Sequence, residues 1–207
     1  MKRDDLLPVV LAVPGVALGV SGLLHPHRLL PETADRWYVL HLAGLVVFPL
    51  VGVALMTLVR HRSDPLAWVV RVAAFTYAVF YTALDVVYGV AAGDVTRAME
   101  SGYRRSADFS AMLRVGVDLG EVGSWSLLVC AVALVVDQVG RHRLAGLPAL
   151  ALVPGAWLVH TDHIFSPGGV VGMLLIGVAT GLLGLNLTAP AERGRPSDAT
   201  WSRSSAS

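Results

Sequence analysis

Long apolar runs alternate with short polar connections along most of the 207-residue chain. A helix rises about 1.5 Å per residue, so about 20 apolar residues are needed to cross the roughly 30 Å hydrocarbon layer of a membrane. We predict six transmembrane helices from runs that approach this length: 6–24, 37–59, 66–90, 110–136, 144–160 and 168–187. The predicted fold class is therefore all-α, an integral membrane helical bundle spanning residues 1–188.

Composition supports this interpretation, because 55% of the residues are hydrophobic and only 15% are charged. Soluble domains carry about 25% charged residues. The net charge of +1 gives no indication of nucleic-acid binding, and the single cysteine, Cys130, excludes an intramolecular disulfide and a cysteine-rich metal site. Residues 189–207 are rich in Ser, Ala and Arg without apolar periodicity, so we predict a disordered cytoplasmic tail.

The distribution of basic residues predicts the orientation of the bundle. If six helices alternate in direction, one side of the membrane carries Lys2, Arg3, Arg60, Arg62, Arg141, Arg143, Arg193 and Arg195. Cytoplasmic loops carry the excess of Lys and Arg, so this side and both termini are expected to face the cytoplasm of a bacterial inner membrane. The basic start of the first run is interrupted by Asp4 and Asp5, so we expect it to be retained rather than cleaved as a signal peptide.

Ionisable residues lie inside or at the ends of the predicted spans, where they are costly unless they face a protein interior or a cavity. The predicted topology places them in the outer half of the bundle: His41, Asp85, Asp118, Glu121, His160 and His163. Aromatic residues accompany them at helical spacing, which puts neighbours on one face. The aromatic positions singled out are Trp37, Tyr81, Tyr88 and Trp157. We predict one outward-opening polar pocket, with these aromatic residues contacting a cofactor or ligand.

Three kinds of function fit such a pocket. A metal ion, zinc-like, or a haem would be held by His41, His160 and His163, with Asp85, Asp118 and Glu121 as ligands or acid–base groups. The second is a protein that binds a cation, a proton or a small amphiphile without chemistry, such as a small carrier or a cation- or proton-coupled transporter, which in a chain of this size could act as a homodimer. The third is a metal-free enzyme that uses the three acids on a lipidic substrate.

Each signal also has a structural interpretation. Trp37 and Tyr88 are typical of the aromatic belt at a membrane surface, and Arg114 can pair with Asp118 four residues later on the same helix. The histidines of the connections, His163 among them, can be solvated loop residues. Under these interpretations the chain is a structural or partner-binding protein.

Four segments carry a resemblance to small multi-pass membrane proteins of unknown function encoded by high-GC bacteria: residues 21–26, 37–41, 81–85 and 162–167. This resemblance implies a membrane topology and no activity. In residue types alone, three histidines with nearby acids also resemble the zinc site of alkaline ceramidase-type membrane hydrolases. The chain has six rather than seven predicted spans and HxxH rather than HxxxH, so neither fold nor substrate is carried over.

Overall fold

The computed structural model describes residues 6–99 and 106–188, and every regular element in these ranges is helical. Predictions for residues 1–5 and 189–207, including the basic residues at both ends and the disordered tail, lie outside the described residues. Seven α-helices are present: α1 Leu7–Leu24, α2 Ala34–Thr57, α3 Pro65–Leu84, α4 Ala92–Arg97, α5 Ala107–His142, α6 Leu152–Asp162 and α7 Gly168–Thr188. A π-helix, Asp85–Ala91, joins α3 to α4, and two 3-10 helices precede α2 and α6, Pro31–Thr33 and Arg143–Ala151.

Local sequence signals fix where two of the long helices begin. Asp64 precedes α3 and accepts a hydrogen bond from the backbone N–H of Ala67 at 3.2 Å, and Pro65 occupies the first turn. Ser106 likewise accepts from the N–H of Phe109 at 3.1 Å at the start of α5. These caps satisfy N–H groups that have no partner within the helix. The helix starts are therefore encoded locally, ahead of any packing.

Five helical stretches of the described chain are long and apolar enough to cross a membrane. They are Leu7–Leu24, Pro31–Thr57, Pro65–Arg97, Ala107–Asp162 and Gly168–Thr188. The predicted fifth span, 144–160, is not a helix of its own by this criterion. It is a nine-residue 3-10 helix followed by the 11 residues of α6. Pro148, which lacks a backbone N–H, lies inside the 3-10 segment and disfavours a regular α-helix there.

The chain reverses direction after α5, so α6 packs back along that helix. Arg143 takes a φ of 51° at the end of α5, outside the usual helical range. Beyond the reversal Gly146 lies against the backbone of Gln138, and farther along His160 is hydrogen-bonded to Ser124. The two contacts are those of an antiparallel helical hairpin. The hairpin carries His160 to the level of the middle of α5.

Helices α1 and α7 cross at glycines, which lets their backbones touch. A Cβ on Gly177 would lie only 2.7 Å from the backbone N of Val16 and 2.9 Å from the carbonyl O of Ala12. Close approach through small residues is a common way for membrane helices to associate. The crossing holds the first and last described helices together.

Replacing Gly177 by valine should therefore force α1 and α7 apart. We expect a loss of about 1–3 kcal/mol in the free energy of unfolding, the usual cost of overpacking a close contact. Thermal unfolding of the detergent-solubilised protein would measure it, with Val178→Leu on the exposed face of α7 as control. An unchanged melting temperature for Gly177→Val would contradict the tight crossing.

The end of the bundle away from His41 is closed by ion pairs. Asp137 of α5 is 2% exposed and contacts the guanidinium of Arg62, and its carboxylate also accepts from Nε of Arg141 at 2.9 Å. Arg62 in turn donates to Asp64 at 2.9 Å through Nε. Buried charges are tolerated when they are paired in this way. The network ties the α2–α3 connection to the far end of α5.

Candidate metal centre and its cavity

Three potential metal ligands from different elements meet at one end of the bundle. They are His41 in α2, Asp85 at the start of the π-helix, and His163 in the connection between α6 and α7. One ligand atom from each residue lies within 4.8 Å of the other two. Imidazole nitrogen and carboxylate oxygen are the donors that zinc and related divalent ions prefer.

His41 is held in one orientation and one tautomer. Its Nδ1–H donates to the carbonyl O of Trp37 at 2.7 Å, one turn earlier in α2, and the ring is 5% exposed. Because a carbonyl oxygen can only accept, Nδ1 carries the proton and Nε2 keeps its lone pair. Nε2 lies 4.0 Å from Oδ1 of Asp85. A backbone carbonyl that fixes the far nitrogen in this way is typical of metal-binding histidines.

His163 reaches the same place from the opposite side of the bundle. A hydrogen bond of 3.0 Å joins its Nδ1 to the hydroxyl of Tyr81, and its ring is parallel to that of His41 within 9°, with centroids 6.3 Å apart. The desolvation of the ring, and then the neighbouring His41 and His25, lower the pKa of His163 well below its usual value. The imidazole is therefore neutral at pH 7, the form that binds metal ions.

The backbone of His163 has a φ of 53°, which is uncommon for a residue with a side chain. Arg143 has nearly the same conformation at the other end of the α6 hairpin. The unusual φ therefore belongs to the two tight chain reversals. Its consequence for the site is that His163 leaves the α6 helix and turns toward His41.

Asp85 has no partner for its charge. Its side chain is fully buried, and neither carboxylate oxygen has a hydrogen-bond partner within the described residues. No Lys or Arg of those residues pairs with it, and His41 is its nearest basic group. An isolated buried carboxylate costs several kcal/mol unless a proton or a cation neutralises it. Asp85 therefore requires either a proton or a bound cation, and the two adjacent imidazoles are the kind of ligand that a cation would use.

Two glycines leave the space that Asp85 and His41 occupy. A Cβ on Gly44 of α2 would overlap Oδ2 of Asp85, and a Cβ on Gly89 of the π-helix would overlap the ring of His41. The π-helix also directs the carbonyl O of Tyr88 toward Trp37, whose Nε1–H donates to it at 3.2 Å. Such π segments are frequent at functional sites. The α2 and π-helix backbones are therefore shaped around the acid and the imidazole.

A third imidazole, His25, packs beside the other two. Its ring centroid lies 4.9 Å from that of His41, and its Nδ1–H donates to the carbonyl O of Pro26 at 2.8 Å. The remaining nitrogen, Nε2, is buried without a hydrogen-bond partner. Desolvation, with a smaller effect of His41, lowers the pKa of His25 to about 4, so the ring is neutral. His25 thus adds an unused nitrogen lone pair next to the three ligands.

A cavity of about 540 Å³ opens next to these residues. His41, His163, Tyr81, Tyr88 and Trp37 form one wall, together with residues of the α1–α2 connection. The volume is within the range of small-molecule sites in proteins. The cavity is therefore large enough for an organic molecule beside the metal ligands.

Glu121, Ser124 and His160 also line the cavity. The Ser124 hydroxyl donates to the carbonyl O of Glu121 at 3.1 Å and lies 2.9 Å from Nδ1 of His160, while Oε2 of Glu121 lies 3.9 Å from the same nitrogen. With its only proton directed to the carbonyl, the hydroxyl accepts from Nδ1–H of His160. This arrangement differs from a serine nucleophile triad, in which the serine and the acid bind opposite nitrogens of the imidazole. It leaves Nε2 of His160 free to act as a base.

The structure brings together most of the residues singled out in the sequence, though not in the predicted groups. Asp85, expected among the acid–base groups, lies with His41 and His163, with one ligand atom of each within 4.8 Å of the other two. His160 is bonded to Ser124 and is not part of that group, because α6 ends at Asp162 and the two histidines of the HxxH pair diverge.

Two of the other predicted site residues lie away from the cavity wall. Asp118 is exposed, does not line the cavity and forms no ion pair with Arg114 within residues 106–188. Trp157 is 49% exposed and reaches the site only through its ring contact with His160, at 5.5 Å between centroids. The metal, cofactor and catalytic roles assigned from the sequence remain predictions.

His25 and Ser124 were not identified as site residues from the sequence. The only signal for His25 is its place directly after an apolar span, and a serine inside a span gives none. Comparison of the chain with family models, with curated proteins and with solved structures finds no match.

Proposed function

We propose that this protein is a membrane-embedded metalloprotein that binds one zinc-like divalent transition-metal ion through His41, Asp85 and His163. The observation that carries the proposal is the fully buried carboxylate of Asp85, which has no hydrogen-bond partner among the described residues and has ligand atoms of two imidazoles within 4.8 Å. A cation bound there would remove the cost of the buried charge and use the free Nε2 of His41.

The ligand set favours a reactive rather than a purely structural site. Structural zinc sites have four protein ligands, whereas catalytic sites have three and leave one position to water or substrate. Here three ligands are within reach of one ion, and both histidines also line the cavity. The remaining coordination position is expected to face the cavity.

A metal ion suits these residues better than a haem. The iron of a haem would have to approach His41 at Nε2, because Nδ1 is committed to the carbonyl of Trp37. Oδ1 of Asp85 lies 4.0 Å from that nitrogen, where it would obstruct the porphyrin plane. The carboxylate is a good ligand for a divalent ion, whereas it would conflict sterically with a porphyrin ring.

The membrane arrangement is proposed as six crossings in a bacterial cytoplasmic membrane, with both termini on the cytoplasmic side. Arg143–Ala151 and α6 form a continuous helical path of 20 residues antiparallel to α5, which is long enough for one crossing at a mixed helical rise. The exposed Arg60 and the paired Arg62 and Arg141 lie at the end proposed as cytoplasmic. The metal cavity then opens on the outer side.

Acid–base catalysis on a small amphiphilic molecule is the second candidate, and it builds on the first. Glu121 and His160 line the cavity, and the free Nε2 of His160 is available to accept a proton. A metal ion lowers the pKa of bound water, and a nearby base then completes the requirements of metal-assisted hydrolysis. The same wall would serve a binding protein by fixing the polar group of its ligand.

Metal analysis of the purified protein tests the proposal. After incubation with zinc and removal of unbound ions, we expect about one metal ion per chain for the wild type and less than about one fifth of that for Asp85→Asn or His41→Gln. His142→Gln, an exposed histidine outside the cavity, is the matched control and should keep the wild-type content.

Melting temperatures show whether a variant that binds no metal is still folded. If Asp85 is simply protonated, Asp85→Asn should fold normally and the wild type should bind no metal. A wild-type protein without metal after reconstitution, or an Asp85→Asn variant that retains it, would refute the proposed centre.

A further inference from the structure

An apolar groove runs along the outside of the bundle between α3 and α5. Its volume is about 910 Å³, and its walls include Val69 and Val72 of α3 and Val122, Trp125 and Val129 of α5. These five side chains are between 43% and 59% exposed. Among the candidate membrane spans, such a surface faces lipid chains.

The groove adjoins the metal-site cavity at one lining residue that both share. Glu121 lines both, and its side chain is 54% exposed between them. Trp125 lines the groove while its ring lies 4.6 Å, between centroids, from that of His160 in the cavity wall. The polar cavity and the lipid-facing groove therefore lie next to each other at the level of Glu121.

The groove extends away from the metal ligands toward the far end of α3. Helices α3 and α5 are antiparallel, since Gly120 lies against Leu84 and Cys130 contacts the carbonyl of Val70. From Glu121 to Val129 the groove covers about 12 Å along α5, and Pro65 marks its end on α3. An extended hydrocarbon chain fits a surface of this shape and direction.

We infer that the ligand of this site is a lipidic amphiphile whose polar group binds in the metal cavity and whose acyl chain lies in the groove between α3 and α5. The inference rests on the proposed metal centre. Its own basis is the junction at Glu121, where an ionisable side chain inside a membrane-spanning helix stands between a polar cavity and an apolar surface. Such a ligand would move into the cavity sideways from the bilayer, with its chain never leaving an apolar environment.

Two probes with the same metal-binding group distinguish binding in the cavity from binding in the groove. Acetohydroxamate carries the chelating group alone, and dodecanohydroxamate adds a long chain. Both would be titrated into zinc-loaded protein in nanodiscs by isothermal calorimetry. The variant Val72→Trp fills the groove, and Val46→Trp, on an exposed face of α2 outside both cavities, controls for partitioning of the chain into the bilayer.

We expect Val72→Trp to weaken dodecanohydroxamate binding about tenfold, which corresponds to about 1.4 kcal/mol. Acetohydroxamate binding should stay within about twofold of wild type in both variants, as should dodecanohydroxamate binding in Val46→Trp. Metal content should be unchanged throughout, which shows that Val72→Trp leaves the ligands folded.

Each of the other outcomes contradicts one part of the inference. If dodecanohydroxamate binds wild type and Val72→Trp with equal affinity and acetohydroxamate still binds, the acyl chain does not lie in the groove. The proposed metal centre is then unaffected. If neither metal nor hydroxamate binds, the proposed metal centre is wrong. If the wild type is a dimer in the nanodisc and Val72→Trp dissociates it, a second copy of the chain occupies the groove, and the lipid assignment is wrong.

Discussion

A methyl group at Gly89 is expected to weaken metal binding about 10- to 100-fold. The Cβ of an alanine there would overlap the ring of His41, and that ring is fixed on its other side by its hydrogen bond to the carbonyl of Trp37. Either the ring or the π-helix must move, and in both cases Nε2 of His41 separates from Asp85. We expect a loss of about 10- to 100-fold in metal affinity, with about 1–3 kcal/mol of overpacking cost to stability.

Zinc titration monitored by a competing chelator would measure the affinity, and thermal unfolding without metal would measure the stability. Gly140→Ala is a matched control, because a Cβ at that position in α5 meets nothing within 4 Å. The control should be neutral or more stable by up to about 1 kcal/mol, as expected for glycine to alanine inside a helix. Wild-type zinc affinity for Gly89→Ala would show that His41 is not a ligand in this geometry.

Replacing Asp137 by alanine is expected to have the largest effect on stability. Asp137 is 2% exposed and contacts the largely buried Arg62, whose side chain is 16% exposed. Its removal leaves that guanidinium with Asp64, which is more exposed, as its one remaining acidic partner among the described residues. Breaking a buried ion pair from one side costs about 3–5 kcal/mol, because the other charge remains desolvated.

The measurement is the melting temperature or the denaturant midpoint in detergent, compared with Asp94→Ala as control. Asp94 also pairs with an arginine, Arg97, but its side chain is 62% exposed. Exposed pairs contribute about 0–1 kcal/mol, so the control should change little. If the two variants lose the same small amount, the Asp137 network does not carry the stability assigned to it.

Hydropathy was sufficient to predict an all-helical fold with helices long and apolar enough to cross a membrane, because such a helix depends on local composition alone. It did not resolve the segment between α5 and α7, where Pro148 and the reversal at Arg143 replace a regular helix by a 3-10 helix and the short α6. The effect of such a reversal depends on what packs against it. The spacing of residues in the sequence does not show which segments pack against the reversal.

Helical periodicity predicted the faces of single helices better than the contacts between them. His41 and Asp85 were singled out as ionisable residues inside predicted spans, and they do lie together. His160 and His163 were paired by spacing, yet the end of α6 between them sends the two rings to different walls. Asp118 and Glu121 differ by about 60° around α5, and only Glu121 reaches the cavity.

The burial of His25 illustrates what a single sequence leaves open. A histidine at the end of an apolar run is ordinarily exposed, but here Trp37, His41 and Phe165 surround it, with ring centroids within 4.9 Å. These neighbours come from α2 and from the α6–α7 connection. Only the closing of the bundle brings them to one place.

The closed far end of the bundle limits how the cavity can exchange its contents. Beyond Tyr81 the interior is filled by Phe48, Tyr77 and Leu127, each fully or almost fully buried, and then sealed by the contact of Arg62 with Asp137. In this conformation a solute in the cavity therefore has to leave from the side on which it entered, away from the contact of Arg62 with Asp137. In this conformation one end of the bundle is closed. The residence time of a molecule in the cavity would therefore depend on its release from the binding groups, and not on passage through the bundle to the closed end.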